Sequence, residues 1–117
     1  MKGKTNVPGG KLDYLFGRAS GRQHNLARTN QNALQMKRLG VPDITRGHEL
    51  LTEHLKKVPD ISDNIIREFS SNYGTFEIRE SLFAGPSGRF SKFETTWQIH
   101  EDGSRRLTTV IPYGGGN

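Results

Sequence analysis

In the stretch SKFETTWQI, Ser91 to Ile99, a lysine, a glutamate and a threonine recur at every second position. An extended chain turns successive side chains to opposite faces. Lys92, Glu94, Thr96 and Gln98 therefore share one face, and Phe93, Thr95, Trp97 and Ile99 share the other. The same alternation in TFEIRESLF, Thr75 to Phe83, groups Glu77, Arg79 and Ser81 against Phe76, Ile78 and Leu82, with Glu80 interrupting the apolar set. In RRLTTVIPY, Leu107, Thr109 and Ile111 turn inward and Thr108 outward. One sheet face is then apolar and covered, while the other gathers Arg79, Ser81, Lys92, Glu94, Thr96 and Thr108. Wet faces of antiparallel sheets commonly carry such charged pairs and nothing more. The mixture is also the set that phosphodiester cleavage needs. A guanidinium or ammonium offsets charge building on the phosphate, a carboxylate moves protons, and hydroxyls hold the non-bridging oxygens.

A second source of such groups is GRASGRQHNLARTNQN, Gly17 to Asn32. Its glycines let the backbone approach a ligand, and a helix start offers free N–H groups to a phosphate. Arg18, Arg22 and Arg28 add charge that would track a nucleic-acid backbone. His24 falls in the first helical turn, where the dipole favours the neutral, base-competent imidazole. The pattern is neither a P-loop nor a dinucleotide fingerprint. His48 and His54 fall among the leucines of a second helix and read as surface residues, and His100 falls in a turn. Trp97 and the phenylalanines read as core.

Metal chemistry fits poorly. The histidines lack H-x-x-x-H spacing, no D-x-D or E-x-x-H motif occurs, and there is no cysteine, so neither a metal nor another cofactor is expected. Cleavage without a metal favours RNA, whose own 2′-hydroxyl is the nucleophile. DNA requires an activated water, usually on a metal.

The elements that must position these groups follow from periodicity. Residues 1–12, rich in Gly, Lys and Pro, show none and read as a flexible linker, so the domain is expected over 13–117. LDYLF, Leu12 to Phe16, is an apolar anchor. A helix is expected from about Gly21 to Leu39, capped by Ser20 and ended by Gly40 and Pro42. On it Leu26, Ala27, Ala33 and Leu34 make an apolar stripe, opposite His24, Arg28, Gln31 and Gln35. A second helix, capped by Asp43 or Thr45, runs to about Lys57 with Leu50, Leu51 and Leu55 inward. NIIREFS reads as a strand or a short helix. Gly74–Phe83, Gly88–Ile99 and Arg105–Tyr113 read as strands joined by hairpin-like links, before a loose YGGGN tail. Helices followed by an antiparallel meander make an α+β fold.

Composition sets the partner class. The 117 residues carry a net charge of +5, and residues 1–57 hold 11 Lys/Arg against 4 Asp/Glu. A basic half calls for an anionic partner, with nucleic acid first. The absence of cysteine rules out a disulfide scaffold and suits a chain that crosses a membrane unfolded. No apolar run approaches the ~20 residues of a membrane span.

DYLFGRASGRQHNLART, FEIRESLFAGPSGRFSKFETTW and GSRRLTTVIPYGG together resemble the C-terminal toxin domains of LXG-type (YeeF/YobL-like) bacterial polymorphic toxins. Similar modules end contact-dependent inhibition proteins. The resemblance spans residues 11–116. It implies a nuclease secreted as an effector module, acting in the cytoplasm of a target bacterium and held inactive by a cognate immunity protein, an acidic one by charge. It also implies a Barnase/EndoU/Colicin/RelE-like fold, in which N-terminal helices pack on a four- or five-stranded antiparallel sheet, with four strands expected here. By position it nominates His24 and Asn25, Arg79 to Ser81, and Lys92 to Thr96.

The residues and the resemblance together point to a metal-independent ribonuclease. His24 and Glu94 would exchange protons, Arg79 and Lys92 stabilise the phosphorane, and Thr96 orient it. A metal-dependent DNase and a non-catalytic nucleic-acid binder are the alternatives.

Overall fold

The computed structural model describes residues 4–17 and 23–113, and of residues 23–27 and 29 the backbone only. The period-two stretches become strands: β2 (Ile65–Ser71), β3 (Gly74–Ala84), β4 (Phe90–Ile99) and β5 (Arg105–Tyr113). They form an antiparallel meander, as the alternation predicts. The 64–70 stretch is thus strand, not helix.

The sheet has five strands rather than four and is mixed rather than purely antiparallel. β1 (Thr5–Asn6) lies parallel to β5, giving the order β1-β5-β4-β3-β2. The segment expected as a flexible linker also supplies α1 (Gly9–Leu15). Two residues of strand are too few to show a period. What fixes them is tertiary: the Arg105 N–H donates to the Lys4 carbonyl at 2.8 Å.

Two longer helices follow, α2 (Gln23–Leu39) and α3 (Thr45–Lys57), then a 3-10 turn over Val58–Asp60. Gly40 ends α2 in the left-handed region, φ +79. There its N–H bonds the Lys37 carbonyl and that of Val41 reaches back to Met36, satisfying two orphan carbonyls. Neither Asp43 nor Thr45 caps α3. Ile44 occupies that position without a side-chain bond, and Asp43 instead meets His48 Nε2 at 2.9 Å. Gly47 is required where α3 presses on Pro42, because an added Cβ would stand 1.8 Å from the Pro42 carbonyl oxygen.

All three helices cover one sheet face. Leu12 and Leu15 of α1, Met36 and Leu39 of α2, and Leu51 and Leu55 of α3 enclose Phe83, Phe93, Trp97, Leu107 and Val110. Among the described side chains of α2, the buried ones are Asn32, Met36 and Leu39, at i, i+4 and i+7. Leu34, expected to point inward, is 56% exposed, so the predicted stripe was rotated. A polar Asn32 within the buried set hid it.

β4 keeps its predicted phase, with Phe93, Thr95 and Trp97 fully buried. β3 does not. Glu77 and Arg79 are 1% and 3% exposed on the covered face, while Leu82 is 65% exposed on the open one. Register explains it: Glu77, Arg79 and Ser81 stand opposite Trp97, Thr95 and Phe93. β5 changes phase midway. A bulge sets Thr96 against Thr109 but Trp97 against Leu107, leaving Thr108 as the extra residue. Leu107 and Val110 therefore both point inward, and Thr109 is exposed.

Candidate functional site

The covered face buries an ion cluster. Glu77 Oε1 accepts from Arg79 Nε at 2.7 Å and from Arg105 Nε at 2.6 Å. Arg79 Nη1 also donates to the Ile61 carbonyl at 2.8 Å and to Asn64 Oδ1. Two cations compensate a carboxylate that would otherwise be too costly to bury, and the further acceptors satisfy the Arg79 guanidinium. Ser81 points the same way and meets His54 Nε2 at 2.8 Å. His54, expected at the surface, lies edge-on to the rings of Phe83 and Phe93. Burial, helped by the charge of Lys57, lowers its pKa from 6.5 to about 4. Arg79 and Ser81 are thus not on the wet face where alternation put them, and Arg79 does not converge with Lys92 and Glu94.

The open face does unite the rest. Lys92, Glu94 and Thr96 of β4 stand opposite Tyr113, Ile111 and Thr109 of β5. Opposite them on β3 are Leu82, Glu80 and Ile78. Glu80 and Glu94 face each other directly, an unfavourable like-charge arrangement that Lys92 offsets from 3.7 Å. The Tyr113 hydroxyl donates to Glu94 Oε2 at 2.7 Å. That bond, with some burial and the carboxylate charge, holds the phenol above its usual pKa. Thr108 joins through its hydroxyl, which donates to the Thr96 carbonyl at 3.1 Å across the bulge.

Beside Tyr113 opens a cleft of about 250 Å³ between α2 and the end of β5. α2 contributes Arg28, Gln31, Asn32 and Gln35, at i, i+3, i+4 and i+7, and β5 contributes Ile111, Pro112 and Tyr113. Arg28 is close enough for its charge to act on the Tyr113 phenol. Arg18 and Arg22 lie outside the described residues. His24 is within α2, one turn before Arg28, but its side chain lies outside what the structure describes, as does that of Asn25. A second cleft, about 360 Å³, opens at the other end of β5 among Lys4, His100, Asp102, Arg105 and Arg106. Its one carboxylate is held: Asp102 accepts from the Ser104 N–H at 2.9 Å, and bonding to Ser104 keeps it below the usual carboxylate range.

No family model and no curated protein matches the chain. Among solved structures it is similar to a chain of the contact-dependent growth inhibition toxin–immunity protein complex from Klebsiella pneumoniae 342. The two are 51% identical, superpose with a TM-score of 0.85, and each is covered over 93% of its length. The chain belongs to the contact-dependent growth inhibition toxins. For a toxin domain of this family, the open sheet face and the adjoining cleft bring together what can act on a ligand: two carboxylates, a lysine, an arginine, a phenol and threonine hydroxyls.

Sequence reasoning missed Tyr113 and the α2 amides. Tyr113 read as the border of a loose tail, yet it is two residues beyond Ile111, and the bulge turns both to the open face. Gln31 and Gln35 read as part of the face opposite the apolar stripe, and Asn32 read as part of neither. Their i, i+3, i+4, i+7 spacing was the available signal.

Proposed function

We propose that this domain is an antibacterial toxin that cleaves RNA without a metal ion and is neutralised by a cognate immunity protein. One observation carries the reading: the Tyr113 hydroxyl bonds Glu94 at 2.7 Å on an open face shared with Lys92, beside a cleft that Arg28 lines. An acid–base group, two cations and a polarised phenol are the parts needed for transesterification by the RNA 2′-hydroxyl. The 2′-oxygen gives up its proton as it attacks phosphorus. The bond to the 5′-oxygen breaks, and that oxygen takes a proton, leaving a 2′,3′-cyclic phosphate. His24 and Glu94 are assigned the two proton transfers. Lys92 and Arg28 offset the charge on the non-bridging oxygens, Thr96 supplies its hydroxyl to them, and Tyr113 orients Glu94 through the bond its hydroxyl donates. Arg18 and Arg22 extend the contact along the backbone. Arg79 takes no part, since its guanidinium is bonded to buried Glu77.

The family membership supports the toxin reading. The matched structure is a toxin with its immunity protein, which supports an immunity partner here, and the net charge of +5 favours an acidic one. Delivery into the cytoplasm of a competing bacterium, and kinship with LXG-type toxins and the Barnase/EndoU/Colicin/RelE-like fold, belong to the same proposal.

The test is cleavage of purified RNA and plasmid, each in EDTA and in Mg²⁺. Wild type should cut RNA, and His24→Ala and Glu94→Gln should fold normally and cut far less. Metal-dependent loss of plasmid with intact RNA would turn the reading to a DNase. Salt-sensitive RNA binding without product would make the domain a binder.

A further inference from the structure

Asn32 sits in the cleft between α2 and the end of β5, one turn after Arg28, and is 1% exposed. Its Nδ2 is a buried side-chain atom with no hydrogen-bond partner among the described residues. An amide donor buried without an acceptor is costly, and each such group in a folded protein calls for an explanation. Here it lines a cleft, so a ligand can complete it.

Neighbouring groups say which ligand. Gln35, almost one turn further on, is already oriented. Its Oε1 accepts from Arg38 Nε at 2.8 Å, and Arg38 is anchored by donating from Nη2 to the Phe90 carbonyl at 2.6 Å. With that oxygen turned to Arg38, the amide NH₂ is the end of Gln35 that faces away from it. Arg28 adds only donors. Among the described residues no carboxylate lines the cleft, and its far wall is Ile111, Pro112 and Tyr113. The site therefore wants acceptor oxygens on a flat, largely apolar body. We infer that the cleft is a nucleobase subsite selective for a keto base, guanine or uracil, whose acceptors meet the amide NH₂ groups of Asn32 and Gln35. Adenine and cytosine carry an amine where guanine and uracil carry that oxygen, so donor would face donor. Inorganic phosphate satisfies donors too, but gains nothing from the apolar wall. The assignment rests on the nuclease reading for its context: Tyr113 bonds Glu94, so a base held in the cleft brings its sugar towards Lys92 and Glu94.

Calorimetric titration of the wild-type chain with GMP, UMP, AMP, CMP and inorganic phosphate tests it, alongside the rates on RNA oligonucleotides that differ at one base. GMP or UMP should bind about tenfold tighter than AMP, CMP and phosphate, the factor of one well-made hydrogen bond. Asn32→Leu should erase that preference while its thermal midpoint holds or rises, because the unpaired donor is gone. Gln35→Glu replaces the amide NH₂ with an acceptor and should shift preference towards AMP or CMP, which keeps the test sound should Asn32→Leu fold badly. Equal binding of the four nucleotides, phosphate binding as tightly as GMP and UMP, or a preference that survives both substitutions would overturn the inference. The two readings fail separately. A chain that prefers GMP or UMP yet cuts no RNA keeps the subsite and loses the nuclease, and one that cuts RNA indifferently to base does the reverse.

Discussion

Arg79→Ala removes one of the two guanidiniums that meet the Glu77 carboxylate. Glu77 is 1% exposed, so it would keep only Arg105, whose side chain is 25% exposed. The bond from Arg79 Nη1 to the Ile61 carbonyl, 2.8 Å, would go with it and free the turn after Val58–Asp60. Breaking a buried ion pair by deleting one member costs about 3–5 kcal/mol. For a domain of this size about 1 kcal/mol moves the midpoint by roughly 4 °C, so the expected loss is about 12–20 °C. Thermal unfolding followed by circular dichroism measures it, with Lys92→Ala as the control. Lys92 is exposed and its partner Glu80 is 3.7 Å away, so that change should stay within about 0.5 kcal/mol of wild type. Glu77→Ala should cost a similar amount to Arg79→Ala, and the double substitution less than the two together. An Arg79→Ala chain that melts with wild type but has lost its toxicity would refute the reasoning and return this guanidinium to the chemistry.

Two further outcomes follow from neighbouring groups. His54 has a folded-state pKa near 4 against an ordinary 6.5, so between those values the unfolded chain binds a proton that the folded chain refuses. Stability should hold above pH 6.5, fall as pH drops, and level off below about 4. At 1.36 kcal/mol per pH unit the full loss is about 3 kcal/mol, reduced to about 2 by partial exposure. His54→Gln should flatten the urea-unfolding profile by that amount, and an unchanged slope would show that other groups set it. Tyr113→Phe removes a hydroxyl from an exposed bond, so stability should change by no more than about 0.5 kcal/mol. RNA cleavage should nonetheless fall about 100-fold, and full activity in this variant would exclude the phenol.

How much of this could be read in the sequence depended on whether neighbouring signals agreed. β4 was legible because Phe93, Thr95 and Trp97 alternate cleanly with Lys92, Glu94 and Thr96, and the two sets differ sharply in polarity. β3 was inverted because Phe76 and Ile78 outweigh Phe83 in any apolar count. Glu77 and Arg79 read as wet, and the partners that make their burial possible lie far along the chain, Arg105 28 residues from Glu77 and Asn64 15 from Arg79. Long-range ion pairing has no local period. β5 was right as a strand and wrong in phase, since a one-residue bulge is invisible to a strict alternation of two. β1 and α1 were lost for want of length. The site followed the same pattern. Lys92, Glu94 and Thr96 were placed correctly by β4 alone. Glu80, first seen as an interruption of an apolar face, is where it belongs once β3 is turned over. Asn32 was concealed because it is a polar residue within the buried set.

The most direct measurement induces the domain in cells that lack an immunity protein and compares total RNA with genomic DNA, for wild type and for Glu94→Gln. RNA fragments with intact DNA in wild type, and intact RNA in a soluble Glu94→Gln, are the predicted result. Degraded DNA with intact RNA, or RNA fragmentation undiminished in Glu94→Gln, would contradict the account.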